Sequence, residues 1–232
     1  RSDAYFGSAC RTRVWKAPRG MFRSARPDDV LAHVLRGVLA QVPSLNAKEI
    51  TDVIVGCAIP EAEQGMNVAR IGLLLAGIPQ SVAGLTVNRF CASGLEAVAI
   101  AADRIRTGAA DIMIGAGAET MSMIPMGGHK MAINNAVFAK DENVGIAYGM
   151  GLTAERVAER WKISREDQDA FALASHQKAI RATETGEFSE ILPDAINGQR
   201  ADLASDTIVT KSKTVCKDEG PRPDTSVEGR AK

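Results

Sequence analysis

The side chain in this sequence best suited to covalent chemistry is Cys91, set in Asn88-Arg89-Phe90-Cys91-Ala92-Ser93-Gly94. A thiolate attacks carbonyl carbon readily and makes a transient thioester. A β-rich run, Val82 to Val87, precedes the cysteine, and Leu95 to Ala102, rich in alanine and apolar residues, follows it as a buried helix. Cys91 therefore falls where a strand hands over to a helix. Unbonded N–H groups at a helix start carry partial positive charge, which favours thiolate over thiol. Ala92, Ser93 and Gly94 are small, so a bulky ligand can approach the sulfur. These features predict a nucleophile. The competing reading is an inert buried thiol, because free cysteine is among the most buried residue types.

Other residues of chemical potential carry less. Cys10, Cys57 and Cys216 are widely spaced and form no C-x-x-C pair, so neither a metal site nor a haem attachment is expected. Cys57 closes a strand and reads as core. His33 and His176 fall on helices as surface or packing residues, and neither they nor His129 read as catalysts. Arg11, Arg13, Arg19 and Arg23 could form an anion site, but solvated or carboxylate-paired arginines are the commoner outcome. Gly115-x-Gly117 lacks the third glycine of a dinucleotide fingerprint, with Thr120 in its place. A tight turn that lets backbone approach a thioester is the better expectation there.

The elements that must hold Cys91 alternate. Ala4 to Ala9 is weakly β-like and leads into an arginine-rich loop. Asp28 is the expected cap of a helix with Val30, Leu31, Val34, Leu35 and Val38 on one face. Thr51 to Cys57 reads as a buried strand, and Asn67 opens a helix over Val68 to Ala76 that Gly77 closes. The Cys91 helix runs to Thr107 before Gly108, and Asp111 to Ile114 is the next strand. Such alternation predicts a parallel α/β sheet with right-handed crossovers. Beyond Glu119 the texture changes. Met121, Met123, Met126 and Met131 are expected to pack irregular surface. Leu152 to Trp161 is a helix, and Ser164-x-x-Asp167 caps another that runs to Thr185 with Ala170, Phe171, Ala174 and Ala179 as its stripe. After Pro193 the chain is polar, with turns expected at Asn197-Gly198 and Gly220-Pro221.

Composition narrows the classes. The 232 residues are 45% hydrophobic, ordinary for a globular protein. Lys plus Arg and Asp plus Glu each number 28, so there is no basic footprint for nucleic acid. No apolar run reaches the roughly 18–20 residues of a membrane span. Scattered cysteines point to a reducing, cytoplasmic setting. The start, Arg1-Ser2-Asp3-Ala4, has neither an initiator Met nor a signal segment, and the true N-terminus is expected to lie upstream.

Asn88-Arg89-Phe90-Cys91-Ala92-Ser93-Gly94-Leu95 resembles the nucleophile motif of the thiolase family, the acetyl-CoA acetyltransferases and 3-ketoacyl-CoA thiolases. Ala9-Cys10-Arg11-Thr12 with Lys16-Ala17-Pro18-Arg19-Gly20 resembles the family's N-terminal segment. Gly115-Ala116-Gly117-Ala118-Glu119-Thr120-Met121-Ser122 resembles the turn after its fourth strand. Met150-Gly151-Leu152-Thr153-Ala154-Glu155 and Ser164-Arg165-Glu166-Asp167-Gln168-Asp169 resemble its inserted loop domain. These motifs occur in the family's order and run through nearly the whole chain.

The resemblance implies a thiolase-like α/β fold, one mostly parallel sheet with flanking helices plus an inserted loop domain. Residues 1–118 would form the nucleophile-bearing domain and 119–232 the CoA-covering loop domain, ending before its return to the sheet. It implies acyl transfer between CoA thioesters through an acyl group on Cys91, with coenzyme A as substrate and no further cofactor. Met150 would lie near the thioester and Arg222 near the CoA nucleotide; a solvated surface arginine is the equal alternative for Arg222. Gly149, where biosynthetic members often carry histidine, and Asn88-Arg89-Phe90 favour the broader-chain 3-ketoacyl-CoA branch. The resemblance also implies a homodimer or homotetramer touching through the strand before Cys91. Segments like Asn-Glu-Ala-Phe, Gly-His-Pro and Cys-x-Gly, from which the family draws its histidines and second cysteine, are missing. Arg222-Pro223-Asp224-Thr225-Ser226 and Ala231-Lys232 resemble the approach to the sheet, so the chain is expected to be an incomplete, inactive portion. Three rivals stand beside this reading: a non-catalytic CoA- or lipid-binding relative, a ketoacyl-synthase-type condensing enzyme, and a redox-sensing thiol.

Overall fold

The computed structural model describes residues 3–202, 204–215 and 217–226. Cys216 and the pair Ala231-Lys232 lie outside the described residues. The chain forms two compact units. One comprises Arg1–His129 with Glu190–Gly220, the other Lys130–Ser189 with Pro221–Lys232.

The first unit is built on β1 (Asp52–Gly56), β2 (Ala83–Val87) and β3 (Met113–Gly117), with α1 (Pro27–Ala40), α2 (Val68–Leu75) and α3 (Ser93–Arg106) packed on them. The sheet is parallel in the order β2-β1-β3. The crossover through α2 runs from β1 to β2, and the crossover through α3 runs back past β1 to β3. Crossovers of one hand running in opposite directions must use opposite faces of the sheet. Two apolar clusters show this. Val53, Val55 and Cys57 pack with Leu31, Leu35, Val68 and Leu73 from α1 and α2. Ile54, pointing the other way, packs with Ala97 and Ala101 of α3. Every residue of β1 is buried, as a central parallel strand requires.

Several expectations about boundaries need correction. Asp28 does not cap α1. Arg26 holds the N-cap without a side-chain bond, Pro27 starts the helix, and Asp28 in the first turn accepts two bonds from the Arg26 guanidinium at 3.0 and 2.8 Å. Asn67 does cap α2, accepting from the Arg70 N–H at 3.1 Å. Ala4 to Ala9 forms no strand; two residues further on, Arg11 makes an isolated parallel bridge with Ile191. The strand expected at Asp111 to Ile114 begins two residues later and includes both glycines of Gly115-Ala116-Gly117. Gly115 is a packing position. A Cβ on Gly115 would lie 3.0 Å from Val98 Cα on α3, so the missing side chain lets helix and strand approach.

Asn197-Gly198 is not a turn. It lies inside β4 (Asp194–Asp202), paired antiparallel with β5 (Thr207–Val215) in the register Asn197 to Ser212 and Gly198 to Lys211. Nine pairs along the ladder override one local turn preference.

The second unit carries α4 (Met150–Trp161) and α5 (Arg165–Glu184). Ser164 caps α5, its hydroxyl accepting from the Asp167 N–H at 3.1 Å. The stripe expected on α5 is largely uncovered: Phe171 is 78% exposed, and Ala182 is the one buried residue of that helix. Met131, in the same unit, is 68% exposed. Met121 and Met126, in the first unit, are also exposed, so this methionine-rich stretch does not bury itself as expected. No described helix is long and apolar enough to cross a membrane.

Candidate functional site

Cys91 lies on a turn between β2 and α3, two residues before the helix begins at Ser93. Its side chain is exposed, which removes the inert-core reading. Four residues shape the turn. Phe90 adopts a left-handed backbone, φ 47°, although its ring is 72% exposed. Asn88 Oδ1 accepts from the Phe90 N–H at 2.9 Å, an Asx turn. Ser93, buried in the first turn of α3, takes the Arg89 N–H at 2.8 Å and donates to the Phe90 carbonyl at 2.6 Å. Arg89 reaches forward to Glu96 at 2.9 Å.

The turn sits on the end of the sheet because Gly56 permits it. A Cβ there would collide with the backbone of Ser93 and Gly94. Gly56, the last residue of β1, thus brings the start of α3 against the carboxyl ends of the strands, where parallel α/β sheets place their ligands.

Beside it runs a polar network that sequence reasoning missed. Asn88 Nδ2 donates to the Ala58 carbonyl at 2.9 Å. Ala58 N–H donates to Glu119 Oε2 at 2.7 Å. Glu119 Oε1 accepts from Gln64, which is fully buried, also donates to the Ile59 carbonyl at 2.8 Å, and accepts from the Thr120 N–H at 3.0 Å. An asparagine three residues before a cysteine at a strand-to-helix junction was a readable Asx signal. Gln64 and Glu119 stand 55 residues apart, and nothing local links them.

Cys57, one residue past β1, is buried, and burial pushes its thiol up to about 11, with the Glu119 carboxylate adding to the effect. Burial also raises the Cys10 thiol. Among the described residues neither the Cys91 sulfur nor its backbone N–H has a hydrogen-bond partner, so both are open to an incoming acyl group. Of the expected arginines, Arg11 pairs with Glu190 at 2.7 Å and Asp218 at 3.1 Å, Arg13 is buried, and Arg19 and Arg23 are exposed. A cavity of about 490 Å³ lies between the N-terminal segment, α1 and β3, lined by Cys10, Arg13, Leu35 and Ile114 among others; Cys91 is not among its walls.

Met150 and Arg222 belong to the second unit. Met150 is the first residue of α4 and is 60% exposed. Arg222 is exposed, and its backbone N–H donates to His176 Nδ1 on α5 at 3.1 Å. His176 therefore holds the segment that carries Arg222.

A family model described as thiolase, N-terminal domain, matches residues 6–232. The chain is 42% identical over 228 residues to a 3-ketoacyl-CoA thiolase of Bacillus subtilis (strain 168), covering 97% of this chain and 57% of the relative. It is 40% identical over 241 residues to the 3-oxoadipyl-CoA/3-oxo-5,6-dehydrosuberyl-CoA thiolase of Escherichia coli (strain K12), covering 97% and 58%. It is 41% identical over 223 residues to the peroxisomal 3-ketoacyl-CoA thiolase of Homo sapiens, covering 96% and 51%. The chain spans somewhat over half the length of these relatives.

Proposed function

Because this chain belongs to the thiolase family, we propose that Cys91 serves acyl-CoA C-acyltransfer, as in 3-ketoacyl-CoA thiolysis. The Cys91 thiolate adds to the 3-keto carbon of a 3-ketoacyl-CoA. The bond between that carbon and the α-carbon breaks, and the α-carbon takes a proton to leave as acetyl-CoA. The shortened acyl group stays on sulfur as a thioester, and the thiol of a second CoA displaces it. The observation that supports this reading best is an exposed cysteine on a strained turn at the carboxyl ends of a parallel sheet. Its unclaimed backbone N–H is a donor for the developing oxyanion. Exposure of the sulfur also favours chemistry over a binding-only relative. Met150 is assigned to the thioester end of CoA and Arg222 to its nucleotide, on the motif positions alone.

Thiolysis also needs a base for the thiol and an acid–base group for the α-carbon. Among the described residues no side chain is hydrogen-bonded to Cys91, so this polypeptide by itself is expected to turn over negligibly. The outer edge of β2 carries no partner strand among the described residues, which supports assembly of the full-length protein as a homodimer or homotetramer through that edge. A cytoplasmic setting fits the three free cysteines described.

The test is incubation with acetoacetyl-CoA at pH 9, where an ordinary thiol is substantially ionised, followed by peptide mass spectrometry. An acetyl adduct on Cys91, absent in Cys91→Ser, is expected. An adduct on Cys10 alone, or none, overturns the assignment. Thiolysis near the rate of a complete enzyme overturns the expectation of negligible turnover.

A further inference from the structure

We propose that Asn88 is a positioning residue for Cys91, fixing the turn through which the sulfur and its N–H meet an acyl group. The proposal rests on the nucleophilic role of Cys91 given above. Phe90 stands in the left-handed region, which disfavours a residue with a side chain, and at 72% exposure it has little packing to hold it there. Hydrogen bonds must hold it instead. On one side Ser93 grips the Phe90 carbonyl, but Ser93 belongs to the helix the turn leads into. On the other side Asn88 uses both ends of its amide. Oδ1 takes the Phe90 N–H, and Nδ2 reaches the Ala58 carbonyl, each at 2.9 Å. Among the described residues this second bond is the one hydrogen bond tying the turn, residues 88–92, to a part of the chain other than the helix that follows it.

The anchor at its far end is itself held by hydrogen bonds. Ala58 is fixed through its own N–H to Glu119, and Glu119 to the fully buried Gln64, which also holds Ile59 and Thr120. The Asn88 amide thus ties an exposed nucleophile, through Ala58 and Glu119, to the buried Gln64. Asparagine alone suits the place. Serine can accept from Phe90 N–H but is too short to reach Ala58, and aspartate keeps the acceptor while losing the donor.

The experiment compares wild type with Asn88→Ala, Asn88→Ser and Asn88→Asp in two reactions of Cys91. Acylation by acetoacetyl-CoA needs the sulfur and N–H in register, whereas alkylation by iodoacetamide needs only an accessible thiol. All three variants are expected to lose about 10- to 100-fold in acylation. Alkylation should stay within about twofold of wild type, and Cys57 should remain unlabelled, reporting an intact fold. Wild-type acylation by Asn88→Ser would show the Ala58 bond to be dispensable and overturn the proposal. Equal losses in both reactions, with Cys57 exposed, would make the role merely structural and also overturn it. A wild type that forms no Cys91 adduct removes the functional reading itself, and the proposal falls with it. Adducts formed equally by wild type and all three variants remove the proposal alone.

Discussion

Gly56 and Ser93 are in direct backbone apposition: the end of β1 lies against the first turn of α3 with no room for a methyl group between them. Gly56→Ala must push α3 off the sheet. Because the obstruction is backbone, no rotamer change relieves it. We expect a loss of about 2–3 kcal/mol in urea unfolding, with faster alkylation of Cys57 as the strand end loosens. An unchanged midpoint would mean that the junction is more plastic than this contact implies.

Gln64 is the second point on which the site depends. It is fully buried and makes three hydrogen bonds to separate partners. Gln64→Leu conserves volume but strands the Thr120 N–H, which is buried, and the Ile59 carbonyl. Leaving such groups unpaired costs about 2 kcal/mol. The variant should melt earlier, and Gln64→Glu, which keeps the acceptor but loses the donor and faces Glu119, should fare no better. A thermal midpoint within a degree of wild type for Gln64→Leu would remove the network from any account of stability.

Arg11 joins the N-terminal segment to the later part of the same unit through Glu190 and Asp218. A bond from its own backbone N–H and then the Arg11 guanidinium hold the Glu190 carboxyl below the usual range. A carboxyl with a depressed folded pKa adds stability above its unfolded pKa and loses it as pH falls through the folded value. Acid titration of unfolding should therefore show a loss through and below the ordinary carboxylate range that is shallower in Glu190→Gln. Both side chains are about one-third exposed, so salt should weaken the effect. Identical acid limbs in the two proteins would contradict the assignment.

How far the fold could be read in advance depended on whether one side chain or a whole ladder decided the outcome. The buried run of β1, the Asn67 and Ser164 caps, and the glycines that follow α2, α3 and α5 are local devices, and each stands where expected. Asn197-Gly198 is as strong a local signal as any of these, yet strand pairing on both sides of it prevails. Gly115 carries no mark in the sequence that separates a turn glycine from one admitting a helix. Only the position of Val98 on α3 decides that. The strand-to-helix junction that carries Cys91 was legible because its residues are contiguous. The Gln64–Glu119 link was not, because its halves meet only after the sheet has formed.

The thiols offer the sharpest reading of burial. Cys91 is exposed, Cys10 half-buried with its thiol raised, and Cys57 buried with its thiol pushed up to about 11. Iodoacetamide at pH 8 should label Cys91 first, Cys10 more slowly, and Cys57 only after denaturation, since the thiolate is the reactive form. The same burial fixes a sign for stability. In the unfolded chain the Cys57 thiol ionises around 9.0, while the folded protein keeps the proton until about 11. Between those values the unfolded state alone sheds the proton, so stability falls as pH rises. Cys57→Val fills the same apolar site without a titrating group. Its urea midpoint should decline less steeply than that of wild type from pH 9 to 11. Parallel declines, or Cys57 labelling as fast as Cys91 in the native protein, would place that sulfur outside the core.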